Sequence, residues 1–432
     1  MSLSRWAFII GTAIIAVAVL GIWLGEPWAG VWRWPTLVVL VLLVWERLRL
    51  PPSLVISRHI PKTVALGEPV NYTLSVANPS ARVLQIETQA DYPTALVADN
   101  ALQAWRVAAD EQQSRVFSIT PTQLGAAALG SLYVRQLGGF GLCWWTRPLT
   151  EAVAFTVEPV RLTAHANLAG RREAGNRYSR QPHSSGVELL ELRDYRQGDS
   201  LRSMDWKATA RRGKPIVRSF TREHRLEMVV VVDCGRGSRL QCGRLGRLQH
   251  SVNVAAKLSE FAALQGDRIA CLVYAQQPLG QTPLAGGWAA VKQVRQLLGQ
   301  AAATNETSNA LNAALAVRQL LKRRGLVVFL TEIEQPGAAA QLLQAAQLLA
   351  GKHQVLVASL DDPTISAALS LPARHWQDPY RHFATLEYQR GRALTRQQLQ
   401  RTGVAIISAV PEQLDQQILT YYQNHRERIG GA

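Results

Sequence analysis

Gly186–Arg225 reads GVELLELRDYRQGDSLRSMDWKATARRGKPIVRSFTREHR, and two residues later the chain enters Met228–Asp233, MVVVVD. Acids and bases interleave through the first stretch: Glu188, Arg193, Asp194, Asp199, Arg202, Asp205, Lys207, Arg211 and Arg218, with Tyr195 and Trp206 among them. Charges at this density stay within a fold only when they are solvated or paired. The second stretch is apolar up to its terminal acid. A strand without alternation is buried on both faces, which points to a parallel sheet covered by helices.

Beyond that strand the pattern keeps alternating. Strands are expected at Arg268–Tyr274, Leu326–Leu330, Gln354–Ser359 and Val404–Ser408. Helices with apolar positions three and four apart are expected at Leu248–Leu264, Asn309–Arg323, Ala338–Ala350, Arg381–Arg401 and Pro411–Tyr422. This is an α/β doubly wound pattern, whose ligands bind at the carboxyl ends of the strands. Asp233 ends one strand, and Thr331-Glu332 ends another.

Upstream, Leu54–Pro159 follows period two, as in Val70–Val76, Leu84–Thr88, Arg115–Ile119 and Leu129–Val134, with turns at Gly67-Glu68-Pro69, Asn78-Pro79-Ser80 and Gly138-Gly139. Short strands at this spacing predict an all-β, sandwich-like module. Gly138-Gly139-Phe140-Gly141 and Trp144-Trp145 are expected to pack under its edge. His59 reads as a surface residue.

Before the module, Ala7–Leu24 is apolar throughout and nearly long enough to cross a bilayer, and Thr36–Trp45 follows. Six of the twelve tryptophans (Trp6, Trp23, Trp28, Trp32, Trp34 and Trp45) lie near the ends of these runs. Indoles favour the membrane interface, so a transmembrane hairpin is expected, with helices at about 6–25 and 28–46. A cleaved leader fits less well, because only Arg5 precedes the long first run and a second follows. Arg5, Arg47 and Arg49 lie on one side, and Glu26 and Arg33 in the loop. This bias puts the soluble body in the cytoplasm, on the inner membrane. The expected division is 1–50 hairpin, 53–160 β-module, 161–225 charged segment and 226–432 α/β domain.

The charged segment resembles the signature of the bacterial domain-of-unknown-function family fifty-eight, roughly G-x-E-(F)-x-x-L-R-x-Y-x-x-G-D-x-x-R-x-I-D-W-x-x-x-A-R. Here it falls on Gly186, Glu188, Leu192, Arg193, Tyr195, Gly198, Asp199, Arg202, Asp205, Trp206, Ala210 and Arg211, with Leu189 and Met204 in place of Phe and Ile. The α/β end resembles the von Willebrand factor A domain, which that family also carries. In that domain D-x-S-x-S on a first loop, a Thr on a second and an Asp on a third hold magnesium. Here the first loop reads Asp233-Cys234-Gly235-Arg236-Gly237-Ser238, with glycines where both serines belong. A magnesium site would draw on Asp233, Ser238, Thr331 and Glu332, a set two hydroxyls short for a hard cation. The resemblance implies a MoxR-type AAA+ ATPase as partner, in the assembly or maturation of envelope or multi-subunit complexes.

The net charge of +16 is uneven: Arg171–Arg225 holds fourteen Lys/Arg against seven Asp/Glu. Cys143, Cys234, Cys242 and Cys271 form neither a zinc spacing nor a disulfide framework, which fits a reducing compartment. Gly235-x-Gly237 lacks the third glycine of a dinucleotide loop. Three functions remain open. The first is a non-enzymatic, membrane-anchored scaffold that uses Glu188, Arg193, Tyr195, Asp199, Arg202, Asp205, Trp206, Arg211 and Arg218 for docking or as an internal clamp. In the clamp, Asp199 and Asp205 are expected to pair with Arg202 and Arg211. The second is a metal-dependent hydrolase built on Glu188, Asp199 and Asp205. The third is binding of anionic lipid or nucleic acid, although the interleaved acids favour internal pairing.

Overall fold

The computed structural model describes residues 2–25, 28–48, 54–98, 102–149, 152–162, 182–183, 188–197, 199–221, 225–333, 336–370, 372 and 374–430. Glu26, Arg49, Gly186 and Gly198, all drawn on above, lie outside them, as do the side chains of Glu188 and Arg202. The chain divides into two units, Met1–Glu158 and Pro159–Ala432.

In the first unit, β1 (Ser2–Leu3) leads into α1 (Arg5–Leu24), whose N-cap Ser4 accepts the Ala7 amide. The 20-residue α1 contains an 18-residue window of mean hydropathy 2.6, and it alone among the described helices is long and apolar enough to cross a membrane. The second helix, α2 (Arg33–Leu48), corrects the expected span of 28–46. Trp28–Gly30 forms a separate 3-10 turn, and α2 has 16 residues, rising about 24 Å at 1.5 Å per residue.

Eleven further strands follow: β2 (Val55–His59), β3 (Thr63–Ala65), β4 (Val70–Ala77), β5 (Leu84–Ala90), β6 (Leu96–Ala98), β7 (Gln103–Val107), β8 (Gln112–Pro121), β9 (Gly125–Leu129), β10 (Leu132–Leu137), β11 (Cys143–Leu149) and β12 (Val153–Glu158). They form sheets in the orders β1-β11-β10-β5-β7, β2-β4-β8-β6 and β3-β12-β9. The period-two pattern is realised as alternating burial. Tyr72, Leu74 and Val76 of β4 point inward, as do Leu132 and Val134 of β10. Trp105 is buried on β7, donates to Thr88 Oγ1 at 2.9 Å and lies under the Arg115 guanidinium.

The ends of the two helices meet this unit at one loop. Ser2 and Leu3 pair antiparallel with Trp144 and Cys143. The Ser4 amide donates to Leu142 O at 3.0 Å, and the Ser4 hydroxyl donates to Gly141 O. At the far end of α2, Glu46 Oε1 accepts the Phe140 amide at 2.9 Å, Trp45 stacks on Phe140, and Arg47 covers Trp145. Gly138 gives the Glu46 carboxyl its place, since a Cβ there would overlap it. Thus α1 leaves from the 138–145 loop and α2 returns to it. The sequence suggested the loop would pack; it did not suggest that helix ends would be the packing partner.

In the second unit, Pro159–Leu162 is strapped down first. Arg295 donates to Pro159 O at 2.6 Å and pairs with Glu260 at 2.8 Å, and Glu260 also accepts the Leu162 amide. The charged segment forms a small sheet, β13 (Pro182–His183), β14 (Glu188–Asp194) and β15 (Ile216–Thr221), in the order β13-β15-β14, with α3 (Trp206–Arg212) in the β14–β15 connection.

The remainder is a mixed sheet: β16 (Glu227–Asp233), β17 (Arg268–Tyr274), β18 (Pro278–Gln281), β19 (Leu326–Leu330), β20 (Gln354–Leu360) and β21 (Ala405–Ala409), in the order β18-β17-β16-β19-β20-β21. All neighbours along this order are parallel except β18, which lies antiparallel on β17, as does a seventh short strand, Ala285–Gly286. The helices are α4 (Arg247–Leu264), α5 (Gly287–Gly299), α6 (Ala310–Leu320), α7 (Pro336–Ala350), α8 (Pro363–Ser370), α9 (Asp378–Arg401) and α10 (Pro411–Gly430). Val229, Val231 and Phe329 join Ala313, Val317, Leu342 and Leu349 of α6 and α7 in one buried cluster. Phe261 of α4 meets Tyr422 of α10 edge to face. Asp267, fully buried beside them, accepts from Tyr422 Oη and from the Leu226 amide at 3.0 Å and pairs with Arg426 at 3.1 Å.

Candidate functional site

The charged segment is wired internally. Asp199 takes a bidentate pair from Arg193, at 2.8 and 2.7 Å, and the Arg196 amide at 2.8 Å. Asp205 caps α3: its Oδ1 accepts the Lys207 and Ala208 amides at 3.1 and 3.0 Å, and its Oδ2 accepts Arg218 Nε at 2.9 Å. The helix ends at Gly213, with φ 64°, the left-handed C-terminal turn that favours glycine. The Tyr195 amide donates to Pro215 O at 2.9 Å, and the Ile216 amide donates to Thr209 Oγ1 at 3.0 Å.

These partners correct the expected pairing. Asp199 and Asp205 bind Arg193 and Arg218; Arg211 pairs with neither among the described residues, and the Arg202 side chain lies outside them. The antiparallel register of β14 on β15 sets Leu192 opposite Arg218 and Arg193 opposite Val217, so strand pairing rather than nearness in sequence chooses the arginines. The Arg193 hydrogen bond pulls the Asp199 pKa below the usual carboxylate range, and the Arg218 hydrogen bond does the same for Asp205. Both therefore stay anionic with their lone pairs engaged, which leaves neither as a general base or a ready metal ligand.

What remains outward is a different set. Trp206 is 68% exposed. Lys207 and Arg211, one turn apart, are exposed with it, as are Arg212 and Lys214. Among the described residues none of these four cations has an ion-pair partner within the usual distance. Leu201, also exposed, lies in the 3-10 turn just before α3. An indole beside unpaired cations, on a helix whose N-cap is held by the Asp205–Arg218 pair, is the residue chemistry of an interface anchor.

The strand-end acids form a second cluster. Asp233 Oδ1 accepts the Gly235 amide at 2.8 Å and the Ser308 hydroxyl, and Oδ2 accepts Thr331 Oγ1 at 2.6 Å. Tyr274 is fully buried alongside; burial, then the Asp233 charge, push its pKa well up. Ser238 Oγ donates to Gly235 O at 2.7 Å. Glu332 pairs with Arg247, which is 4% exposed, at 3.4 Å, and accepts the Leu360 amide at 3.4 Å.

This donor set does not fit a hard cation. Asp233 is already bonded on both oxygens, Glu332 faces a buried guanidinium, and a Cβ at Gly235 would overlap the Ser308 hydroxyl. Ser308 thus fills the space a serine at 235 would need. The cysteines nearby are poor nucleophiles, since burial pushes Cys234 up to about 12 and Cys242 up to about 11.

Sequence reading missed a third surface. Trp376, Tyr380, Phe383 and Leu386, spaced three and four apart on and just before α9, are all strongly exposed. The signal was present as that spacing, but it reads equally as a buried face.

Residues 191–404 match the family described as "Protein of unknown function DUF58". Uncharacterized proteins of Mycobacterium tuberculosis and Mycobacterium bovis are 27% identical over 184 residues, covering 41% of this chain. The match spans 56% of those relatives' length. Among solved structures, a FixG-related protein from Vibrio parahaemolyticus resembles 25% of this chain and 98% of its own, at 13% identity and a TM-score of 0.19. A CARDB domain from Pyrococcus furiosus resembles 24% of this chain and 93% of its own, at 15% identity and a TM-score of 0.17. Scores this low carry no functional argument.

Proposed function

We propose that this protein, which belongs to the DUF58 family through the segment containing the charged motif, is a membrane-anchored, non-enzymatic adaptor whose α3 face docks a MoxR-type AAA+ ATPase. The observation that carries this reading is the division of labour within the motif. Asp199 and Asp205 are bonded internally, while Trp206, Lys207 and Arg211 are left outward on a braced helix. Arginine and tryptophan anchor interfaces well, and the cations select an acidic patch on the partner. The partner's class comes from the family resemblance, and the partner would supply the ATP-driven work.

In this reading the hairpin stays in the inner membrane, with the rest of the chain in the cytoplasm. Two observations support it. Removing a leader would take away Ser2 and Leu3, which extend a sheet, and Ser4, which caps onto Gly141. The return of α2 to the loop that α1 leaves brings both helix ends to one side, together with Arg5 and Arg47. The doubly wound order, with Asp233 next to the switch point, supports a von Willebrand factor A-like domain that recognises protein rather than metal.

The test is co-purification of the full-length chain, in detergent, with the AAA+ ATPase. Trp206→Ala combined with Arg211→Glu is expected to abolish capture at unchanged melting temperature, while Asp233→Asn retains it. Capture that survives the double substitution refutes the docking face. Magnesium-dependent hydrolysis lost on Asp205→Asn would support the hydrolase alternative instead.

A further inference from the structure

The ends of α1 and α2 and the 138–141 loop enclose a cleft of about 660 Å3, within the size range of small-ligand sites. Its lining includes Trp6, Trp45, Glu46, Arg82, Arg106 and the Gly138–Gly141 loop.

Three features mark it as built for a ligand. Glu46 is only 3% exposed; its Oε1 accepts Phe140 N–H, but its Oε2 has no hydrogen-bond partner among the described residues. A buried carboxylate oxygen left open is costly, and a donor entering the cleft would relieve it. Arg82 and Arg106 are exposed and, among the described residues, in no ion pair. The cleft thus offers two exposed, unpaired cations and a buried, unsatisfied carboxylate oxygen among its lining residues. Finally, it sits where α1 begins and α2 ends. If α1 spans the bilayer, that is headgroup depth, marked by Trp6 and Trp45.

We propose that this cleft holds a phospholipid headgroup that carries both a phosphate and a primary ammonium, a phosphoethanolamine head. The phosphate is bound by Arg82 and Arg106, and the ammonium donates to Glu46 Oε2. The acyl chains run along α1 and α2, past Trp6 and Trp45. A glycerol head lacks the cation for Glu46, and a trimethylammonium head has no N–H to donate. The assignment rests on the membrane-anchored reading above.

The experiment uses full-length protein stripped of lipid in detergent. It is titrated separately with phosphatidylethanolamine, phosphatidylcholine, phosphatidylglycerol and water-soluble glycerophosphoethanolamine, with bound species counted by native mass spectrometry. The ethanolamine lipid is expected to bind on the order of tenfold more tightly than the other two lipids. Glu46→Gln keeps an acceptor for Phe140 N–H and is expected to bring the three lipids to near parity. Arg82→Ala with Arg106→Ala, both at exposed positions, is expected to weaken all three. Equal binding of the lipids to the native chain, or a preference that survives Glu46→Gln, overturns the proposal. Glycerophosphoethanolamine binding as tightly as the lipid would assign the cleft to a soluble ligand and overturn it too. Alkaline extraction of membranes tests the anchor separately: a chain released by carbonate fails the anchored reading whatever the headgroup result.

Discussion

Asp199 and Asp205 show how a motif that looks catalytic can be architectural. Each carboxylate joins a guanidinium to backbone amides, so each fixes a turn as well as neutralising a charge. Arg193→Lys keeps the charge but loses the two-pronged geometry. Amide exchange at Tyr195–Asp199 is expected to quicken in that variant, while exchange in β16 stays unchanged. The loop after Asp233 gives a second prediction. Gly235→Ser restores a motif serine but collides with Ser308, so the variant is expected to lose about 1–3 kcal/mol without gaining magnesium affinity. Denaturant unfolding measures the loss, and adding Ser308→Gly should recover most of it. Tighter magnesium binding by Gly235→Ser alone would contradict this account of the loop. The residue types of both clusters were legible in the sequence. Their partners were not: Arg218 is 13 positions from Asp205 and Ser308 is 75 from Asp233. Only strand register and loop packing bring them together.

Elements with strong local patterns were the most legible. Arg268–Tyr274 and Leu326–Leu330 form strands over the expected residues, because each is a short apolar run rich in β-branched and aromatic residues, closely preceded by a glycine, Gly266 or Gly325. Helices drifted at their ends: the one expected from Asn309 begins at Ala310, with Asn309 as its cap. Short elements without a pattern of their own were missed, among them Pro278–Gln281 and Ser2–Leu3, which exist by pairing with neighbours already in place. The second helix was expected over about 28–46, longer than α2 proves to be, since hydropathy does not register the 3-10 turn that delays its start. The exposed α9 stripe yields an element-level prediction. Tyr380→Ser and Phe383→Ser remove little buried area and are expected to change stability by no more than about 0.5 kcal/mol, whereas Phe329→Ala in the sheet should cost about 3–5 kcal/mol. Chemical unfolding of the three variants separates these outcomes.

Across the whole molecule, the second unit carries an acid sensitivity. Burial holds His250, His353 and His425 below the ordinary histidine pKa. A depressed histidine contributes stability that is present above the unfolded value, about 6.5, and is lost as pH falls through the folded values. Asp199 and Asp205, also depressed, add a loss at lower pH, below the unfolded carboxylate value of about 3.9. The melting temperature is therefore expected to be flat from about pH 8 to 7 and to fall steadily below about 6.5. His250→Gln, which keeps a donor for Cys242 O, should flatten the first part of that fall. The general plan, an apolar N-terminal helix followed by β-rich and α/β parts, could be read from composition and period alone. The seating of the helix ends on the 138–145 loop could not, because it depends on Glu46 fitting against a glycine nearly a hundred residues away.

The docking claim is tested most directly by placing a photoreactive phenylalanine analogue at position 206 of the full-length chain in native membranes and identifying the cross-linked species by mass spectrometry. The account predicts an adduct with an AAA+ ATPase that disappears when Arg211→Glu is added. A properly inserted, folded chain that gives no such adduct, or gives it equally with Arg211→Glu, would contradict the account.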